Sequence, residues 1–220
     1  PEVYAAHAYE CYLTNQLVKA VESQKKALAI WTSQKDLLRT GDTLRFLSRL
    51  WWFTGNRSEA ITFAQEAINI LDNGIPTREL ALAFSNLSQL SMLADDFTGT
   101  TEWGSRAIEL AERLNDREIL CHALNNVGSI IMKTVGSTEE GVAKLMQSLD
   151  IALEYGLHEH AARAYTNTCC FYLLIKQYEN ARRIFDKALE YCDELDLLSW
   201  SSYIRGEQSK LLLETGDWDQ

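Results

Sequence analysis

Small side chains recur at a nearly constant interval along this chain. A small residue followed by an aliphatic one appears five times, at steps of 40, 40, 41 and 40 positions. The five pairs are Ala27-Leu28, Ala67-Ile68, Ala107-Ile108, Ser148-Leu149 and Ala188-Leu189. An interval of this length exceeds a typical helix or strand and is shorter than a domain, so it indicates a linear stack of similar supersecondary units.

Two further series of small residues keep the same interval. The first lies seven positions before each pair, on the same face of a helix, and comprises Ala20, Ala60, Thr100, Gly141 and Ala181. The second comprises Ala8, Ser48, Ser88, Gly128, Cys169 and Ser209. Because antiparallel helices approach closely only where the facing side chains are small, the series predict the contacting faces of a helix pair.

A turn position separates the two helices of each unit. It is occupied by Asn15, Gly55, Asp95, Gly136, Lys176 and Gly216, mostly residue types that tolerate a left-handed backbone or end a helix. No period-two alternation of apolar and polar residues occurs, so we predict no strands. The predicted fold is all-α, an α-solenoid of about 40-residue helix-turn-helix repeats in a right-handed superhelix with a concave and a convex face.

We place residues 1–220 in a single solenoid domain. The predicted repeats are 1–35, 36–75, 76–115, 116–156 and 157–195, with a partial repeat at 196–220, which gives five helix pairs and one unpaired helix. The partner of the last helix would begin at Trp218, so we expect a fragment of a longer protein. We also expect Leu211, Leu212 and Leu213 to lie bare and to favour a homo-oligomer. A HEAT-like array is the alternative, because its repeat of about 40–47 residues overlaps this interval.

The register of small residues resembles the tetratricopeptide (TPR) consensus over all 220 residues. The matches are Asn86-Leu87-Ser88 and Asn126-Val127-Gly128 in first helices, with Ala60, Ala67, Ala107, Ala181 and Ala188 in second helices. The interval is longer than the family's repeat of about 34 residues, which implies helices longer by nearly a turn each.

Four first-helix segments also resemble the repeat region of large ATP-dependent transcription regulators of the LuxR type, the MalT-like class of signal-transducing ATPases. These segments are residues 44–50, 83–90, 123–128 and 163–167. In that family a nucleotide-binding ATPase precedes the repeats and a helix-turn-helix follows them. The resemblance implies effector sensing and control of self-assembly by this region.

Charge and cysteine usage restrict the partners and the compartment. The formal net charge is −10, whereas a protein binds phosphates with clustered Lys and Arg, so no nucleic acid is predicted to bind this segment. The five cysteines show no CxxC spacing, which predicts no disulfide framework and favours a cytoplasmic location. No apolar stretch reaches membrane-spanning length, so no membrane is predicted as a partner.

Sequence motifs for catalysis are missing. There is no phosphate loop, dinucleotide fingerprint, zinc-protease motif or nucleophile elbow, so we predict no enzyme, no catalytic residue and no cofactor. His158 and His160 at a helix start point about 200° apart, so we predict no metal site. Cys169-Cys170 could be redox-active, but Cys169 holds a small packing position, which favours a buried inert thiol.

The candidate binding surface is the concave face, which first helices line at five register positions. The predicted ligand-binding residues are Tyr9, Tyr12, Arg45, Arg49, Trp52, Ser85, Asn86, Gln89, His122, Asn125, Asn126, Ser129, Arg163, Thr166 and Asn167. Asn86, Asn126 and Asn167 recur at one position and would form a ladder of amides toward a peptide backbone, a sugar hydroxyl or a carboxylate. The competing interpretation is that each amide only bonds the neighbouring helix.

The charged and aromatic residues of this predicted binding set have different expected roles. Arg45, Arg49 and Arg163 could anchor an anionic group against an otherwise acidic protein. Trp52 could be a stacking platform, and a position in the core is an equally good alternative. For Trp51 the core position is the favoured interpretation.

Two functions fit these patterns. The first is the sensing and oligomerising repeat region of a LuxR-type ATP-dependent regulator, which binds a protein, a peptide or a small effector. The second is a TPR scaffold that holds an extended peptide or a partner helix. An enzyme is the least favoured interpretation.

Overall fold

Helices account for all regular secondary structure in the part of the chain that the computed structural model describes, residues 1–134 and 138–217. They are α1 (Glu2–Leu13), α2 (Leu17–Gln34), α3 (Leu37–Phe53), α4 (Arg57–Leu71), α5 (Arg78–Leu93), α6 (Phe97–Leu114), α7 (Arg117–Ile131), α8 (Thr138–Glu154), α9 (His158–Leu174), α10 (Tyr178–Glu194) and α11 (Leu198–Thr215). Odd-numbered helices are the first helices of the predicted pairs, and even-numbered helices are the second ones. The predicted all-α arrangement of five pairs followed by a single helix is confirmed over these residues. None of the described helices is long and apolar enough to span a membrane.

The recurring small residues lie where the two helices of a pair touch. Those with no exposed surface are Ala8, Ala20, Ala27, Ser48, Ala60, Ala67, Ser88, Thr100, Ala107, Ser148, Cys169, Ala181 and Ala188. The approach is especially close between α7 and α8, where a Cβ atom built on Gly141 would lie 2.9 Å from the carbonyl oxygen of Gly128. Ser209 differs from its equivalents because it is exposed; the predicted helix that would cover it begins at Trp218, outside the described residues.

The turns inside the pairs have the predicted backbone conformation. Asn15, Asp95 and Lys176 have φ of 57°, 56° and 59°, and Gly55 and Gly216 have φ of 82° and 80°. The predicted turn residue Gly136 lies outside the described residues. Left-handed residues also recur between pairs, at Lys35, Asn115, Gly156 and Asp196. These second turns were not predicted from the sequence, although Asn and Gly at such positions are typical helix C-terminal residues.

The connections between pairs are two or three residues long, except that between α4 and α5. This longer connection, residues 72–77, contains Gly74 at φ 83° and the 61% exposed Ile75. It ends at Thr77, whose hydroxyl accepts a hydrogen bond from the Leu80 backbone N–H at 3.2 Å. The repeat interval is unchanged here because α4 is short, at 15 residues.

The helices are grouped in two compact units, Pro1–Ile119 and Leu120–Gln220, with the boundary near the start of α7. We call them unit 1 and unit 2. In unit 1, Leu47 and Leu50 are buried against Ala20 of α2. In unit 2, Phe185, Ile204 and Leu211 share a buried cluster contributed by α9, α10 and α11. The single-domain assignment and the right-handed winding stay predictions.

The last described helix is only partly bare. Leu211 is fully buried, so the expectation that it would be uncovered is wrong; α11 packs against both α9 and α10, which cover it. Leu212 is half-buried, and Leu213 is 68% exposed, as expected.

The Asp193 carboxylate, near the end of α10, is hydrogen-bonded to α11. We therefore expect the stability of α11 to depend on pH. The Ser201 hydroxyl donates to Asp193 at 2.8 Å and the Arg205 guanidinium donates at 2.6 Å, and these bonds lower the pKa of Asp193. Stability from a carboxylate with a depressed pKa is present above its ordinary value of about 3.9 and is lost as pH falls through the folded-state pKa.

We therefore expect the backbone amides of α11 to exchange faster with solvent at pH about 3 than at pH about 5, after correction for intrinsic exchange. Asp193→Asn should remove part of this difference. Hydrogen exchange with mass spectrometry at both pH values is the measurement. An equal pH response in the variant and the wild type would contradict the assignment.

Candidate functional site

First helices lie beside one another within each unit. In unit 1, α3 contacts α5, and in unit 2, α9 contacts α11. Their exposed sides form a surface that we call the first-helix face of the unit. The predicted binding residues from Tyr9 to Gln89 belong to unit 1, and those from His122 to Asn167 belong to unit 2. Each face is described separately.

Arg49 and Tyr12 form a pair on the first-helix face of unit 1. The Tyr12 hydroxyl accepts from Nε and Nη2 of Arg49, at 3.2 and 2.9 Å. The guanidinium carbon also lies 5.4 Å from the centre of the Tyr12 ring and 5.7 Å from that of Phe53. Both Tyr12 and Arg49 are half-buried. The α1 and α3 helices thus hold a guanidinium group beside two aromatic rings.

Three further aromatic rings surround this pair. Tyr9 and Phe46 pack on Tyr12 with ring centres 6.3 and 5.8 Å away, and Phe53 lies 5.4 Å from Tyr12. Phe46 and Phe53 were not among the predicted residues. They lie three positions before and four positions after Arg49 in α3. Helical neighbours occur at this spacing, and it was the signal that could have found them.

The other charged and aromatic residues predicted in unit 1 already have intramolecular partners. Nε of Arg45 donates to Asp42 at 2.7 Å, within α3. Trp52 is half-buried, and its ring lies 5.2 Å from the guanidinium carbon of Arg57. Arg45 therefore has its charge balanced within the chain, in contrast to Arg49.

The polar residues of α5 are more buried than a binding surface would suggest. Ser85 and Asn86 are 1% and 5% exposed, and Gln89 is half-buried. The Asn86 amide donates to the Ser48 hydroxyl of α3 at 2.9 Å. Asn86, the first member of the predicted amide ladder, therefore bonds a neighbouring first helix. This is the arrangement that the competing interpretation describes.

A hydrogen-bonded network links α7 to α9 on the first-helix face of unit 2. Arg163 donates to the side-chain oxygen of Asn126, which is fully buried. The Asn167 amide donates to the Asn125 side-chain oxygen at 2.6 Å and to the Ser129 hydroxyl at 3.0 Å. The remaining two members of the ladder also connect neighbouring first helices.

This network leaves one buried donor without a described partner. The Asn125 side chain is 2% exposed, and its amide nitrogen has no hydrogen-bond acceptor. Thr166 is also buried, and its hydroxyl donates to the Ala162 carbonyl at 2.7 Å. The half-buried residues Arg163 and Asn167 therefore provide the accessible part of this polar surface.

Two histidines extend the same face. The rings of His122 and His160 pack edge to face with centres 5.6 Å apart, and both residues are half-buried. His158 instead contacts Tyr191 of α10, with Nδ1 2.8 Å from the hydroxyl oxygen. Within residues 1–134 and 138–217, no group of three or more His, Cys, Asp and Glu side chains is placed to hold a metal.

The adjacent thiols of α9 are held in their protonated form. Burial is the main cause that raises the pKa of the Cys169 thiol, and burial together with the charge of Glu207 raises that of Cys170 to about 12. All five cysteines are free. Thiol reactivity depends on the thiolate, so the protonated state is consistent with the packing role predicted for Cys169.

Helix pairs with close-packed small residues, left-handed turns and adjacent first helices define the class of TPR-like helical repeats. Several solved structures share this fold. A Rap protein complexed with competence and sporulation factor matches with a TM-score of 0.81 and 15% identity, over 92% of this chain and 56% of that chain. A signal transduction ATPase with numerous domains and a TPR sensor, from Pyrococcus horikoshii, matches with a TM-score of 0.70 and 16% identity, over 96% of this chain and 32% of that chain.

The TPR-like repeats of a kinesin light chain from Podosopora anserina match with a TM-score of 0.64 and 14% identity, over 89% of this chain and 95% of that chain. At such identities the likeness shows the fold alone. The chain spans only a little over half the length of the Rap chain, at 56%. The sequence matches no protein-family model and no curated protein.

Proposed function

We propose that this chain is a non-catalytic binding segment whose first-helix faces take an extended peptide or a peptide-like effector. The observation that carries this proposal is the pattern of cross-helix bonds at the predicted register positions. Arg49 with Tyr12 in unit 1, and Arg163 with Asn126 in unit 2, hold guanidinium groups on these faces. Preorganised donors of this kind lower the entropy lost when a ligand binds.

Peptides suit these faces for two chemical reasons. Guanidinium groups can pair with the carbonyl oxygens and carboxylates of an extended chain, and the Asn167 side-chain oxygen can accept from a peptide N–H. The adjacent aromatic rings provide apolar surface for side chains. The solved Rap protein is complexed with competence and sporulation factor, which supports the view that a fold of this class can hold a partner molecule.

The finer proposal is a sensing and oligomerising region in an ATP-dependent LuxR-type transcription regulator. It is supported by the resemblance of the first-helix segments and by the fold shared with an ATPase that carries a TPR sensor. The alternative is a TPR scaffold for a peptide or partner helix. The full-length gene product separates the two: an ATPase before Pro1 and a helix-turn-helix after Gln220 support the regulator.

We expect the purified chain to bind a sequence-related subset of peptides on an array of random dodecamers. In fluorescence polarisation with the strongest of these peptides, Arg163→Ala and Asn167→Ala should each weaken binding about tenfold if the peptide lies on unit 2, since each removes a hydrogen bond of about 1.4 kcal/mol. Lys187→Ala is the matched control, because Lys187 is an exposed cation on the second helix α10.

Two results would contradict the proposal. One is the absence of saturable binding to any peptide of the array. The other is a selected peptide whose affinity is unchanged by substitutions on both first-helix faces but falls with substitutions on second helices.

A further inference from the structure

We propose that the aromatic notch around Arg49 binds an acidic residue and a nearby aromatic residue of one extended peptide. This Arg49 notch consists of Tyr9 and Tyr12 of α1 with Phe46, Arg49 and Phe53 of α3. The inference rests on the proposed peptide-binding function and assigns a ligand chemistry to one place in unit 1. The probe that represents this chemistry carries Glu-Ser-Phe at its centre.

The first argument is the unbalanced charge of Arg49. Among the described residues, its guanidinium bonds only the neutral Tyr12 hydroxyl and forms no ion pair, although the chain has 31 acidic residues. Arg45 and Arg106 differ from Arg49 in this respect, since Arg45 pairs with Asp42 and Arg106 pairs with Asp72. A half-buried cation without an opposite charge loses hydration that a neutral hydroxyl replaces only in part. A ligand carboxylate would replace that hydration with charge-assisted hydrogen bonds.

The geometry of the guanidinium leaves donors for such a carboxylate. A guanidinium carries five N–H groups in a planar fork. The Tyr12 hydroxyl takes bonds from Nε and Nη2 of Arg49, so Nη1 and the second N–H of Nη2 are unused by the described residues. The guanidinium carbon lies 5.4 and 5.7 Å from the Tyr12 and Phe53 ring centres, which keeps these N–H groups beside the aromatic rings.

The aromatic walls supply the second half of the recognition. Tyr9 and Phe53 are 51% and 50% exposed, which is a large exposed fraction for aromatic residues that lie together at one place. The guanidinium carbon of Arg49 lies 5.7 Å from the Phe53 ring centre. In an extended peptide, residues two positions apart point to the same side and lie roughly 6–7 Å apart. A carboxylate on Arg49 and an aromatic ring on Phe53 therefore match a Glu-x-Phe spacing.

Charge also selects a peptide over a polyphosphate partner. The chain has a net charge of −10, and Arg49 is a single cation at the notch. A nucleic acid needs several clustered cations to release its counterions, whereas one carboxylate needs one guanidinium. The apolar walls favour a ligand with an uncharged aromatic side chain beside that carboxylate.

The test uses a fluorescein-labelled heptapeptide with central Glu-Ser-Phe, blocked at both termini, and fluorescence polarisation with the intact chain. We expect saturable binding that Arg49→Gln weakens about tenfold or more, in line with the loss of one charge-assisted pair. Replacing the peptide's glutamate by glutamine should weaken binding to the wild-type chain by a similar factor. The comparison of the two peptides on the wild-type chain keeps the test valid even if the Arg49→Gln variant unfolds.

Arg57→Gln is the matched control, because Arg57 also lies over an aromatic ring, that of Trp52 at 5.2 Å, but on α4 and outside the notch. The affinity of the Arg57→Gln variant for the heptapeptide should equal that of the wild type. Equal affinity for the glutamate and glutamine peptides, or no binding of the heptapeptide, would overturn the inference. In either case the peptides selected on the random array still decide the proposed function by themselves.

Discussion

Gly141→Val is expected to lower the free energy of unfolding of unit 2 by about 3 kcal/mol, at the upper end of the usual cost of overpacking. A Cβ atom at this position would lie 2.3 Å from Cγ of Met132, 2.6 Å from its backbone nitrogen and 2.9 Å from the Gly128 carbonyl oxygen. A flexible side chain could move away, but the two backbone atoms cannot. The backbones of α7 and α8 would have to separate, and urea denaturation followed by circular dichroism measures the loss.

Gly206→Val provides the comparison for this substitution. Gly206 lies in α11, where an added Cβ meets no atom within 4 Å. Valine has a better helix propensity than glycine by a few tenths of a kcal/mol, so we expect no loss of stability. If the two variants denature at the same urea concentration, close approach at the recurring small positions does not hold the pair together.

Phe185→Ala is expected to cost about 3–5 kcal/mol, the range observed when a large buried aromatic side chain is truncated. Phe185 is fully buried and packs in the cluster that includes Ile204 and Leu211. The substitution would leave a cavity between α10 and its neighbours. Because a repeat protein is stabilised mainly by contacts between adjacent repeats, we expect faster hydrogen exchange in α9, α10 and α11 and little change in α1 to α4.

The control is Tyr155→Ala, which truncates an aromatic residue that is 50% exposed in the same unit. It should cost less than about 1 kcal/mol, since little apolar surface is uncovered. Uniform acceleration of exchange from α1 to α11 by Phe185→Ala would contradict the local response and would indicate a single cooperative fold.

Much of the fold follows from the sequence because only small side chains fit at the few positions where paired helices touch. Ala20, Thr100 and Ala181 are fully buried at the predicted contacts, and the turn residues Asn15 and Lys176 have the expected left-handed backbone. These features need no information from distant parts of the chain. The burial of Leu211 was missed because it depends on how α11 packs against both α9 and α10.

The candidate site was less predictable from the sequence. The position of a residue within the repeat, its register, gives only the direction of its side chain. It placed Asn86 and Asn126 on the correct helices, but it could not decide whether each amide bonds a neighbour or a ligand. That outcome depends on the distance between first helices, which brings Asn86 within 2.9 Å of Ser48. Similarly, register alone does not separate Arg45 from Arg49, although Asp42 lies three positions before Arg45, a spacing at which helical neighbours pair. They differ because Asp42 lies within bonding distance of Arg45, whereas Arg49 bonds Tyr12.

The long connection between α4 and α5 has a practical consequence for engineering. Exposed segments whose backbone is not committed to helix hydrogen bonds tolerate cleavage, insertion and new termini. Residues 73–76 meet this condition, with Gly74 in open space and Ile75 exposed. A fluorescent reporter or a circular permutation opened at this bend would leave both the Arg49 notch and the α7 to α9 network covalently intact.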